Sequence, residues 1–81
     1  MKEFMIDIND IFKIRSLVNI SNDFDFDITL SSDGYSVSAK SIIGIFTFDI
    51  TKPIKITIHS DNCDEYVARI KDFIVTVRSN A

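Results

Sequence analysis

Hydrophobic and polar positions change period several times along the chain, and each change marks an element. Residues 2–8 alternate, with Phe4, Ile6 and Ile8 on one side and Glu3, Met5 and Asp7 on the other. That spacing predicts a half-buried strand. Asn9 and Asp10 follow, both good helix N-caps. From there to about Asn22 the period becomes helical: Ile11, Ile14, Leu17 and Val18 share a stripe about 120° wide, with Phe12 outside it. Alternation returns over 24–30, with Phe24, Phe26, Ile28 and Leu30 set against Asp25, Asp27 and Thr29. Ser31-Ser32-Asp33-Gly34 reads as a hairpin turn, and Tyr35, Val37 and Ala39 as the returning strand. Ser41 caps a short apolar segment, Ile42 to Phe48. After Pro53 a fourth strand places Ile54, Ile56 and Ile58 opposite Lys55, Thr57 and His59. The last element is read as a long helix, because Cys63, Tyr66, Val67, Ile70, Phe73, Ile74 and Val77 fall on one stripe, with Asn62 and Glu65 forming a capping-box-like start.

The predicted order is β-α-β-β-α-β-α, and each strand and both long helices have one apolar side. The simplest way to bury those sides is an α+β open-faced β-sandwich: a four-stranded antiparallel sheet with helices on one face and Asp, Thr, Lys and His on the other. The chain has 81 residues, the size of one small domain over 1–81. Scaling laws give such a chain roughly 4,900 Å² of folded surface, too little body for a deeply enclosed active site.

Composition then narrows the chemistry. A net charge of −3 without a Lys/Arg cluster argues against a nucleic-acid groove. No apolar run is long enough to span a membrane. The opening MKEFMIDIND lacks the apolar core of a secretory signal, so a cytoplasmic location is expected. One cysteine, Cys63, and one histidine, His59, exclude an internal disulfide, a cysteine-based zinc site and multi-histidine metal sites. No nucleophile–base pair or Gly-rich loop is recognisable, so the chain reads as a non-enzyme without cofactor or metal. Cys63 lies on an apolar stripe and is read as a buried structural thiol, and His59 as a solvated residue at a strand end.

Ile42, Ile45 and Phe48 make one apolar row on the short segment, while Ile43 and Phe46 make a second row turned away from it. So short a helix in so small a domain cannot bury both rows, and Ile43 and Phe46 are expected to be exposed. A contiguous apolar patch on a small domain marks a partner surface or a homodimer contact.

Three stretches carry a family resemblance. Ala39-Lys40-Ser41-Ile42-Ile43-Gly44-Ile45-Phe46 is similar to the Lys-Ser-Ile-Met-Gly-Val-Met segment of HPr, the histidine-containing phosphocarrier family of the bacterial sugar phosphotransferase system. Phe24-Asp25-Phe26-Asp27-Ile28 resembles the entry to that family's second strand. Lys55-Ile56-Thr57-Ile58 followed by Asp64-Glu65 resembles its fourth strand and last helix. The resemblance runs over about residues 4–75.

In the family a Gly-Ile-His-Ala-Arg-Pro-Ala motif opens the first helix, and its histidine passes phosphate from Enzyme I to sugar-specific proteins. Ungapped alignment from the Phe-Asp-x-Asp-Ile match puts Asp10 at the histidine, Phe12 at the arginine and Lys13 at the proline; no histidine occurs in residues 1–58. Asp10 offers no ring nitrogen for a labile N–P bond, and its negative charge repels a phosphoryl donor. It reads as an N-cap, with an aspartyl-phosphate acceptor or a fixed mimic of the phosphorylated state as its functional alternatives. Ser41 reads as an N-cap, and the resemblance also implies a regulatory phosphorylation site, since the matching serine is the target of a dedicated kinase in many Gram-positive bacteria. The resemblance further implies that Ile43 and Phe46 dock phosphotransferase-system proteins or a transcription regulator, with Phe12 and Arg15 beside them. The expected function is an HPr-like protein-binding or regulatory module, as in catabolite-repression paralogues that lack the histidine and keep the serine. The rival expectations are phosphate transfer through a non-histidine residue and a self-associating structural module.

Overall fold

The computed structural model describes residues 1–75. In chain order the elements are β1 (Lys2–Ile6), α1 (Ile11–Asn22), β2 (Ile28–Ser32), β3 (Tyr35–Ser38), α2 (Ile42–Ile45), β4 (Ile54–Ile58), α3 (Asp64–Arg69), a 3-10 turn (Lys71–Phe73) and β5 (Ile74–Val75). The strands form one antiparallel sheet in the order β3-β2-β4-β1-β5.

Alternation dictates which face is covered. In β4, Ile54, Ile56 and Ile58 are fully buried, and register sets Ile56 between Phe4 of β1 and Leu30 of β2. Ile6, Ile28 and Leu30 join them, and the helices close the same face with Ile14, Leu17, Ile45, Tyr66 and Ile70. The open-faced α+β sandwich is thus the observed architecture. Its accessible surface is 4864 Å², close to the scaling expectation.

A fifth strand is the main addition to the sequence reading. The expected long terminal helix stops at Arg69, and Ile74-Val75 instead pairs with Met5 and Ile6 of β1. Ile74 and Val75 are both β-branched, a side-chain type that loses freedom in a helix and suits a strand. Val77 itself lies outside the described residues. The capping box also does not form: the N-cap of α3 is Cys63, without a side-chain cap bond.

Other boundaries shift for local reasons. β1 ends at Ile6, where Asp7 N–H turns to the carbonyl of Phe73 at 2.8 Å. Phe24 and Phe26 lie ahead of β2, their rings tilted against each other and edge-on to Tyr66, so this alternating stretch packs against α3 instead of pairing in the sheet. Ser31 and Ser32 belong to β2, and the hairpin turns on Asp33 and Gly34 alone, at φ 54° and 79°. Those two positive angles in a two-residue loop are the type I′ geometry that suits the strand twist. Ala39 lies past β3, buried, with its N–H on Ile28 O. α2 ends at Ile45, where i to i−3 bonds carry the chain through Thr47 and Phe48. Thr57, expected to face water, is only 8% exposed, because its strand is flanked by Thr29 and Glu3 on the neighbouring strands.

One buried polar pair ties α1 to α3. Ser21 and Tyr66 are both inaccessible and share a hydrogen bond of 2.6 Å. Burial pushes the Tyr66 phenol up to about 12, against the smaller opposing pull of the Ser21 bond. The folded state therefore holds the phenolic proton where the unfolded chain, near 10, has lost it. That contribution is complete below pH 10 and is lost as pH rises towards 12. Urea titrations of wild type and Tyr66→Phe should show wild type losing more stability than the variant across this window; parallel curves would contradict it.

Candidate functional site

The first turn of α1 is built by Asp10. Its extended backbone (φ −147°, ψ 164°) breaks the helix upstream. Its carbonyl accepts the first helical bond, from Ile14 N–H at 3.1 Å, and carboxylate Oδ1 accepts Lys13 N–H at 2.9 Å. The negative charge also meets the positive end of the helix dipole. Lys13 Nζ donates to Asn9 Oδ1 at 3.3 Å. Asp10→Ala should therefore lower stability by about 1 kcal/mol, and Asp10→Ser, which retains a capping oxygen, by much less, read from urea midpoints. Equal losses in the two variants would contradict the capping role.

α2 is capped in the same manner: Ser41 Oγ accepts Gly44 N–H at 3.2 Å. Ser41 is exposed. Gly44 fits against β3, since a methyl there would stand 3.1 Å from Val37 Cβ and 3.2 Å from Ser41 Oγ.

α1 packs against α2. Ile45 of α2 is buried and Ile42 and Phe48 are partly buried, whereas Ile43 is 79% and Phe46 50% exposed. Phe12 is 75% exposed. Ile11, which the helical stripe had placed in the core, is also exposed. Periodicity gives the direction of a side chain but not whether a neighbour exists to cover it, and at the first position of α1 none does. Among the described residues the exposed large apolar side chains are Met1, Ile11, Phe12, Tyr35, Ile43 and Phe46, so four of the six belong to these two helix regions. Arg15 is exposed and takes part in no ion pair among the described residues. Lys40, by contrast, is committed to the fold, with Nζ donating to Phe24 O at 2.6 Å.

The remaining candidates lie elsewhere. His59 stands on the open sheet face, where Nε2 and Thr29 Oγ1 are 3.0 Å apart and its backbone N–H donates to Asp27 O. The helices cover the opposite face, so His59 cannot serve the mouth of α1. Cys63 is a buried free thiol. Among the described residues no three His, Cys, Asp or Glu side chains converge as metal ligands. No described helix is long and apolar enough to cross a membrane.

This arrangement has clear relatives. The fold is similar to HPr-C-His of Thermoanaerobacter tengcongensis, at 25% identity over 94% of this chain and 93% of that one, with a TM-score of 0.76. It is similar to the phosphocarrier protein HPr of Bacillus anthracis strain Ames, at 25% identity over 91% and 94% of the two chains, with a TM-score of 0.70. The histidine-containing phosphocarrier protein of a mycoplasma shares the fold at 19% identity over 88% and 89%, with a TM-score of 0.71. The family model described as the phosphorylation site of the HPr component of the phosphotransferase system matches residues 14–76, beginning past Asp10. That match spans most of the 81 residues, and the chain belongs to the HPr family of the phosphotransferase system.

Proposed function

We propose that this HPr-family chain acts by binding other proteins and does not relay phosphate from the mouth of its first helix. The observation that carries this reading is the state of that mouth. Asp10 holds the Lys13 N–H at 2.9 Å with its own carboxylate, occupying with a fixed charge the position where an incoming phosphate would be received. A carboxylate lacks the ring nitrogen that makes a phosphohistidine a reversible donor.

What remains is a surface. Ile43 and Phe46, with Phe12 and Arg15, form the proposed contact face, since exposed apolar groups concentrated on two packed helices favour association. Arg15 adds an exposed cation to these apolar groups, while Asp10 at the mouth of α1 is acidic and the chain carries −3 overall. Partners of fitting chemistry are phosphotransferase-system proteins or a transcription regulator that present an apolar pocket with an acidic rim. Ser41 is the proposed control point. It is exposed beside this face, and its phosphorylation would shift the net charge from −3 to about −5.

Incubation with Enzyme I and labelled phosphoenolpyruvate tests the first half of this reading. No label should be retained, by wild type or by Asp10→Asn. Hydroxylamine-sensitive label on wild type that is lost in Asp10→Asn would overturn the reading in favour of an aspartyl-phosphate carrier.

A further inference from the structure

We draw no further inference here: the strongest candidate, the shallow trough of about 410 Å³ on the open face of the sheet lined in part by Asp27, Thr29, Ser36, Ser38 and His59, has its histidine already held by Thr29, and nothing in the structure shows what covers it.

Discussion

Replacing Ile56 by alanine is expected to remove about 3–4 kcal/mol of stability. Ile56 occupies the middle of β4, has no solvent exposure, and is flanked in register by Phe4 and Leu30. A strand paired on both sides cannot shift to fill the gap without breaking its ladders, so the loss includes both the transfer of the missing carbons and the cavity left behind. A chain of this length has a total stability on the order of 4–12 kcal/mol. The variant should therefore lose a large share of it, with a melting point lower by roughly 15–25 °C. Ile56→Val, which keeps the branched shape, should cost about 1 kcal/mol. Urea denaturation followed by circular dichroism measures both. A loss below 1 kcal/mol for Ile56→Ala would mean that β4 is not the packed centre of the sheet.

The sheet was legible because strand alternation is a local signal with a single solution. Ile54, Ile56 and Ile58 could only face inward together, and their partners on β1 and β2 carry the same pattern. The exposure of Ile43 and Phe46 was legible for a related reason: they point away from a row that already fills the available core, and solvent exposure follows from geometry. The end of the chain misled because Ile70, Phe73 and Ile74 fit a helical stripe equally well as a turn followed by a strand, and only pairing with β1 decides between them. Phe24 and Phe26 misled similarly, since alternation also suits two rings set edge-on to a tyrosine from a distant helix. The Ser21–Tyr66 bond was not read from the sequence. Ser21 continues the Ile14 and Leu17 face of α1, but the partner for its hydroxyl is 45 residues away and belongs to tertiary structure. The capping role of Asp10 was the plainest of all, because an N-cap is a statement about four consecutive residues, Asp10 to Lys13, and needs no distant partner.

The second large effect concerns binding and should leave folding intact. Ile43→Asp with Phe46→Asp alters two exposed side chains, so the change in stability should stay within about 1 kcal/mol. Apolar residues at the centre of a contact, once replaced by charges, lose their burial and force an unpaired carboxylate into the interface. The expected result is a loss of affinity of at least about 100-fold, which corresponds to about 2.7 kcal/mol. Phe12→Ala should weaken binding less, because it removes contact area without introducing a charge. Arg15→Ala should mainly reduce the association rate and its sensitivity to salt, as expected of a rim charge.

The most direct measurement is calorimetric titration of the wild-type chain and the Ile43→Asp/Phe46→Asp variant into Enzyme I and a sugar-specific A domain of the phosphotransferase system and a transcription regulator that binds HPr. Binding to at least one of them by wild type, reduced about 100-fold or more in a variant that melts at an unchanged temperature, is the predicted result. Absence of binding to all three, or equal affinity of the two chains, would contradict the assignment of this face as the working part of the molecule.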